Sequence, residues 1–116
     1  MRVLDLGSAA NVRQRWAEFL EQNVEAGVYM THGHVALPKG RGVIGREAWH
    51  TNHMLLLVKG GGSASGGKGA AVAVSEGQLV FWQAGEWYSF EVPEPTPFEG
   101  LRAQGDDLNP DVFVRM

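Results

Sequence analysis

The sequence predicts an all-β fold, a small barrel or sandwich of short strands with one N-terminal α-helix packed outside. Two solid apolar runs, Met54–Val58 and Leu79–Trp82, are too short for a typical helix, and glycine follows each within a few residues. Short apolar runs bounded by turn residues are typical of strands buried on both faces. Ala70–Val74, between the two runs, is a third strand candidate. Three strands joined by short turns would form a meander at the centre of the chain.

One segment before these strands has the periodicity of an amphipathic helix, over about residues 9–23. Its apolar stripe consists of Val12, Trp16, Phe19 and Leu20. Ser8 or Asn11 can cap its first turn, and Gly27 lies just past its expected end. Because the stripe must be covered, we expect the helix to pack on the face of a sheet.

The rest of the chain is predicted to form further short strands at turn spacing. The candidates are Val3–Leu6, Val28–Leu37, Val43–His50, Trp87–Val92, Phe98–Ala103 and Asp111–Val114. The glycine-rich tract Gly60–Gly69 has no apolar pattern and is predicted to be a loop. Its sequence is similar to that of a phosphate-binding loop. However, Gly69 stands where that motif requires a hydroxyl residue, and the predicted strand Ala70–Val74 stands where it requires a helix. A hairpin loop is therefore expected there.

Length and composition predict a single domain over residues 1–116, with the barrel spanning about residues 26–116. The chain is 44% hydrophobic and 20% charged, as in ordinary soluble proteins. Its formal net charge of -3 and the lack of a basic stripe argue against direct nucleic-acid binding. It has no cysteine, hence no thiol nucleophile, and no apolar run of membrane-spanning length. We expect a cytoplasmic protein without a membrane partner.

The two fully apolar strands also bear on the oligomeric state, because such strands need cover on both faces. The barrel interior would cover one face. The N-terminal helix or a partner subunit would cover the other. We therefore expect a homodimer.

The clearest candidates for ligand contact lie just before the first apolar run. On an extended strand Trp49 and His53 share one face, while His50 points the other way. If His53 faces the interior, Leu55 and Leu57 do too, which would give an apolar pocket with a few polar groups. The alternative is an aromatic core in which His53 is hydrogen-bonded and inert.

A second candidate is the pair His32 and His34, which share a face on a strand and could chelate a divalent transition metal. A third ligand would come from His50, His53 or Glu47. The alternative is a pair of solvated histidines on an outer strand. No cofactor is favoured, and a divalent transition metal is the alternative.

The segment Gly77–Tyr88 (GQLVFWQAGEWY) resembles the second motif of the cupin family in Gly77, Gly85 and the apolar run between them. Tyr88 stands where that motif has a histidine metal ligand. His53–Gly60 (HMLLLVKG) is similar to the end of the first cupin motif. The resemblance implies a small RmlC-like barrel or jelly roll.

Counting back from Gly60, the glutamate ligand of the first cupin motif falls on His53. The two histidines of that motif fall on Glu47 and Trp49. The resemblance therefore implies a cupin that has lost the usual metal ligand set.

Arg46, Leu55–Val58, Gly60–Gly62 and Gly77–Gly85 follow the pattern of the sugar-sensing cupin domain of AraC-type regulators. In those domains the mouth of the barrel binds a small polar ligand. By position, that role would fall to Arg46, Trp49, His53 and Tyr88. We expect this chain to lack the DNA-binding half of those regulators, because the residues after Pro97 show no helical periodicity.

These observations favour a non-enzymatic sensor or binding module for a small, sugar-like molecule. The first alternative is a metal-dependent cupin enzyme (an isomerase, epimerase or oxygenase). Its atypical ligand set would be His32, His34, His50 and His53. The second alternative is a structural or interaction module whose barrel is filled with side chains.

Overall fold

A computed structural model describes residues 1–26, 31–37, 42–48, 50–67, 69–92, 98–106 and 108–115, and the side chains of these except 22–26, 31–37, 42–47, 114 and 115. The N-terminal part contains β1 (Arg2–Asp5), α1 (Ala9–Ala26), β2 (Thr31–Leu37) and β3 (Gly42–Ala48). The centre contains β4 (Asn52–Lys59), β5 (Gly61–Gly66), β6 (Val72–Ser75) and β7 (Gln78–Trp82). The chain continues with β8 (Trp87–Val92), β9 (Phe98–Gly105) and the short helix α2 (Asp111–Arg115).

The strands form two antiparallel sheets that face each other. One sheet has five strands in the order β1-β7-β4-β9-β2, and the other has four in the order β3-β8-β5-β6. This confirms a mostly β architecture with an N-terminal helix. The central meander has the predicted strands, but β4 and β7 pair in one sheet while β6 lies in the other.

The central strand β4 shows why its apolar run has no alternation. Met54 and Leu56 face α1, whereas Leu55 and Leu57 face the other sheet. The interior between the sheets is lined by an apolar cluster: Leu55, Leu57, Ala64, Val74, Val80, Trp82, Tyr88, Phe90, Val92 and Phe98. The predicted burial of this strand on both faces is confirmed.

The helix α1 covers the outer face of the five-stranded sheet. Ser8 Oγ accepts a hydrogen bond from the Asn11 amide at 3.2 Å, which confirms Ser8 as the cap. Val12, Trp16 and Phe19 are buried against β4. Because α1 of the same chain covers this face, no partner subunit is needed there, and the homodimer stays a prediction. Among the described residues no helix is long and apolar enough to cross a membrane.

The prediction that Gly60–Gly69 is a loop is wrong for most of the tract, because Gly61–Gly66 forms β5 between β6 and β8. A Cβ atom on Gly61 would lie 2.5 Å from the Val74 carbonyl oxygen, and one on Gly62 would lie 2.2 Å from that of Glu91. The glycines therefore permit a close approach of neighbouring backbones. A strand built this way has no apolar alternation by which the sequence could reveal it.

The prediction of a terminal strand over Asp111–Val114 is also wrong, because these residues lie in α2. The Asn109 side chain accepts a hydrogen bond from the Asp111 amide at 3.0 Å, and the Phe113 amide donates to the Pro110 carbonyl at 3.1 Å. An asparagine cap followed by proline starts a helical turn. Phe113 packs on Phe19 of α1 with ring centroids 4.9 Å apart.

The remaining predicted strands are found with shifted bounds. Trp87–Val92 is β8 as predicted, Phe98–Ala103 extends to Gly105 as β9, and Val3–Leu6 corresponds to β1. The start of Val28–Leu37 lies outside the described residues, and β2 begins at Thr31. Val43–His50 corresponds to β3, which carries an irregularity in pairing between Ile44 and Arg46.

Candidate functional site

Three strands bring polar side chains together between the two sheets. Along β9 the side chains alternate: Ala103 belongs to the cluster beneath α1, whereas Phe98 and Arg102 face the other sheet. His53 of β4 and Tyr88 of β8 lie next to Arg102. We call His53, Trp82, Tyr88 and Arg102 the Arg102 cluster.

Hydrogen bonds fix the position of the guanidinium group in this cluster. Arg102 Nε donates to His53 Nε2 at 2.7 Å, and Arg102 Nη2 donates to the Tyr88 hydroxyl at 3.3 Å. Arginine is always a donor, so His53 Nε2 must be the unprotonated nitrogen of the ring. His53 is therefore the neutral tautomer with its proton on Nδ1.

Burial and charge both keep His53 neutral. The side chain is 2% exposed, and this burial, together with the positive charge of Arg102, lowers the pKa of His53 from 6.5 to about 3. Near neutral pH the positive charge of the Arg102–His53 pair therefore belongs to the guanidinium alone.

Aromatic rings surround the histidine. The centroid of the His53 ring lies 4.5 Å from that of Tyr88, edge-on, and 5.6 Å from that of Trp82. The Trp82 indole N–H donates to the Ser65 carbonyl at 2.9 Å, which links it to the opposite sheet. His53 thus lies against two fixed aromatic side chains, one from each sheet.

The cluster lies at one end of the sandwich, where β4 begins and β7 and β9 end. His53 and Tyr88 are buried, but Arg102 is half-buried and reaches the edge of the apolar interior. Asn52 connects the start of β4 to the segments that follow β7 and β9. Its side-chain amide nitrogen donates to the Leu108 carbonyl at 2.9 Å, and its side-chain oxygen accepts from the Ala84 amide at 2.8 Å.

One buried acceptor lies beside the cluster. Gln104 is two residues after Arg102 on β9 and pairs with His53 across the sheet. Its side-chain oxygen is buried, and no described residue donates a hydrogen bond to it. Buried polar groups in native proteins usually have partners, so this oxygen marks a position at which a donor is expected.

Of the residues predicted to bind the ligand, the structure brings His53 and Tyr88 together. Arg46 lies on β3 with its backbone paired to Ser89, and its side chain is outside the described part. Trp49 is also outside the described residues. His50 is exposed just before β4.

Arg102, Gln104 and the position of Trp82 beside His53 were not predicted from the sequence. The signal for Arg102 was the alternation Phe98, Gly100, Arg102 in a predicted strand, which places an arginine on the face of a large apolar residue. Sequence alone does not say which face of that strand is interior, because both carry apolar residues.

The positions of the usual cupin metal ligands fall in this sequence on Glu47, Trp49, His53 and Tyr88. Among the residues whose side chains are described, no group of three histidine, aspartate or glutamate side chains could hold a metal ion. His53 Nε2 accepts from Arg102. The backbone of β2 pairs His32 with Ala103 and His34 with Leu101, but their side chains lie outside the described part. The alternative histidine set therefore stays a prediction, which elemental analysis of untagged protein tests.

No protein-family model matches this sequence. No curated protein matches it either.

Solved structures give the clearest likeness. An RmlC-like cupin family protein with a double-stranded β-helix fold from Methanocaldococcus jannaschii aligns with a TM-score of 0.59 and 14% identity, over 66% of this chain and 70% of its own. A cupin-2 domain from Rhodospirillum rubrum aligns with a TM-score of 0.60 and 23% identity, over 72% and 55%. The DMSP lyase DddQ from Ruegeria pomeroyi aligns with a TM-score of 0.57 and 16% identity, over 69% and 40%.

At these identities the alignments bear on the fold and leave the activity open, since one fold carries many functions. The two facing sheets, the strand pairing and the aligned structures agree. The chain has the fold of the cupin proteins.

Proposed function

We propose that this chain is a non-enzymatic binding module for a small, polar, sugar-like molecule, which it binds at the Arg102 cluster. The observation that carries the proposal is a guanidinium group held by His53 and Tyr88 at the end of an otherwise apolar interior. Small-molecule sites are typically apolar cavities in which a few directed polar groups fix the orientation of the ligand.

The energetics of the cluster support a binding role over simple packing. Placing a charged group between two sheets costs free energy that apolar side chains of similar volume would avoid. The fold could fill this end with leucine or phenylalanine, as it does around Phe90 and Phe98. Arg102 is instead charged, half-buried and oriented by His53 and Tyr88 at the end of the sandwich, which supports a binding role.

The residues around Arg102 suit a small polar ligand. The Tyr88 hydroxyl, which accepts a hydrogen bond from Arg102, is of a type that can both donate to and accept from a polar ligand. Arg46 and Trp49 are included in the proposal because of their positions in the sequence, shortly before β4.

A thermal-shift screen of sugars and small metabolites tests the proposal. A ligand present at 100 times its dissociation constant stabilises the folded state by about 2.7 kcal/mol, which shifts the melting temperature of a domain of this size by several degrees. His53→Gln and Tyr88→Phe should abolish or strongly reduce the shift produced by any hit.

The matched control is His50→Gln, which changes an exposed histidine three residues away and should leave the shift unchanged. Hits whose shifts survive both His53→Gln and Tyr88→Phe would place the site elsewhere. A broad screen without any hit would favour the alternative of a module filled by its own side chains.

A further inference from the structure

We infer that a second copy of this chain binds along the open edge of β6, so that the four-stranded sheets of two chains join into one antiparallel sheet. In the described part of the chain, β6 pairs with β5 on one side and with no strand on the other. A strand at the edge of a sheet offers backbone donors and acceptors to which another strand can pair. This edge is therefore suited to binding a strand.

The backbone groups that point away from β5 follow from the hydrogen bond of Ser75. Its amide donates to the Gln78 side chain at 2.8 Å, so it does not bond to β5. In an antiparallel pair, residues that exchange hydrogen bonds alternate with residues that do not. Val72 and Val74 therefore bond to β5, whereas the N–H and C=O of Ala73 point outward.

The side chains of this edge also suit pairing with another strand. Residues 70–73 (AAVA) are all exposed, and Val72, at 42%, is one of the two large apolar side chains exposed among those described. The edge strand β1 of the other sheet, by contrast, carries the charged residues Arg2 and Asp5. Charged residues protect an edge from pairing with another chain, and β6 has none.

The β6 edge is complementary to itself when two copies meet antiparallel about a two-fold axis. Centred on Ala73, the two strands would exchange a pair of hydrogen bonds between the Ala73 residues of the two copies. Val72 would lie opposite Val74, which would cover part of its exposed surface with a β-branched side chain on the same face. Glu76, the first charged residue after β6, would lie opposite Ala70, so no like charges would meet.

This surface differs from the one that led to the homodimer prediction, which is the sheet face that α1 covers. Two short edge strands bury less than the roughly 1,200 to 2,000 Å² of a standard stable interface. The dimer should therefore be weak and should form as the protein concentration rises.

Sedimentation velocity of the full chain over a wide range of concentrations tests the inference, with a dimer expected at the high end. Ala73→Pro is the deciding variant, because a strand tolerates proline where its N–H faces solvent. It should weaken dimer formation about tenfold or more, since each copy loses one donor. Ala73→Lys keeps the donor but places two like charges opposite each other, and should weaken the dimer as well.

Trp87→Lys is the matched control. Trp87 is the other exposed large apolar residue, and it lies on β8, two strands away from β6. This variant should dimerise like the unaltered chain. Circular dichroism establishes that each variant is folded.

Hydrogen exchange gives a measurement that needs no variant. In the unaltered chain, the amide of Ala73 should exchange more slowly as the protein concentration rises, because the second copy accepts its hydrogen bond.

A single-chain mass at every concentration would overturn the inference. So would a dimer that persists in both Ala73 variants, or an Ala73 amide whose exchange does not depend on concentration. Loss of the dimer in Trp87→Lys alone would also overturn it, because the interface would then lie on the outer face of the four-stranded sheet.

Discussion

His53 is neutral because it is buried and because the positively charged Arg102 lies beside it. Burial removes the water that would stabilise an imidazolium ion, and the adjacent Arg102 repels a second positive charge. The same histidine can then accept the Arg102 Nε–H, which a protonated ring could not do. The neutral state of His53 and the orientation of Arg102 are therefore one property of the site.

This coupling predicts that acid destabilises the protein through His53. The pKa of His53 is about 3 in the folded chain and 6.5 in its ordinary environment, so the unfolded chain takes up the proton first as the pH falls. The free energy of unfolding should therefore fall between pH 6.5 and pH 3, by about 1.4 kcal/mol per pH unit from this residue. Urea unfolding at pH 7 and at pH 4.5 measures the difference, which should be about 2 to 3 kcal/mol.

The comparison with variants isolates this contribution from that of the carboxylates. Between pH 7 and pH 4.5 the free energy of unfolding of His53→Gln should fall by about 2 to 3 kcal/mol less than that of the unaltered chain. His50→Gln should lose as much as the unaltered chain, because its side chain is exposed. The same acid sensitivity in all three proteins would contradict the assignment of a neutral, buried His53.

Two residues of the candidate site, His53 and Tyr88, were predicted from the sequence. His53 and Tyr88 were identified by their position in motifs that resemble those of cupins. Arg102 was not, because its role depends on the alternation of β9 relative to β4. That register is set by pairing across the sheet and leaves no local pattern in the sequence.

Elements with an apolar period were predicted well, and elements shaped by backbone contacts were not. α1, β4 and β7 each carry a run or stripe of large apolar residues that must be buried. β5 has only glycine, serine and alanine, and it forms because its neighbours can approach its backbone closely. Propensity disfavours a strand there, and tertiary pairing overrides it.

Close packing around β5 predicts that Gly62→Ala destabilises the fold. The added Cβ would lie 2.2 Å from the Glu91 carbonyl oxygen, so β5 and β8 would have to separate. We expect a loss of about 2 to 3 kcal/mol in the free energy of unfolding, measured with urea. Ser63→Ala, at the exposed next position, should change it by less than about 0.5 kcal/mol. Full stability of Gly62→Ala would show that β5 does not pair closely with β8.

The cap of α1 gives a second prediction for an element. Ser8→Ala removes the acceptor for the Asn11 amide at the start of the helix that covers the five-stranded sheet. The expected loss is about 1 kcal/mol in the free energy of unfolding, measured by thermal or urea denaturation. Ser75→Ala, at another exposed serine, is the control. Equal stability of the two variants would show that the Ser8 cap does not stabilise the fold.

For the molecule as a whole, the sequence predicted an all-β domain with an outer helix, and the cupin resemblance predicted the fold that the solved structures confirm. The fold leaves the ligand open, because proteins of this fold include both enzymes and proteins of unknown function. The class of ligand must therefore be inferred from the side chains at the end of the sandwich.

The homodimer expected from the sequence is a separate prediction for the whole molecule. α1 already covers the outer face of the five-stranded sheet, which was the face that led to that expectation. Light scattering over a range of concentrations measures the mass in solution. Twice the mass of one chain is the predicted result, and the mass of a single chain at every concentration would contradict it.

Nuclear magnetic resonance with the strongest hit of the sugar and metabolite screen shows whether the end of the sandwich around Arg102 binds a small molecule. We expect the amide signals of His53, Tyr88 and Arg102 to shift together, along with the Trp82 indole N–H that donates to Ser65. Signals of α1 and of the exposed Trp87 should stay in place. Shifts confined to the outer surface, around Trp87 or α1, would show that the molecule does not bind at the Arg102 cluster.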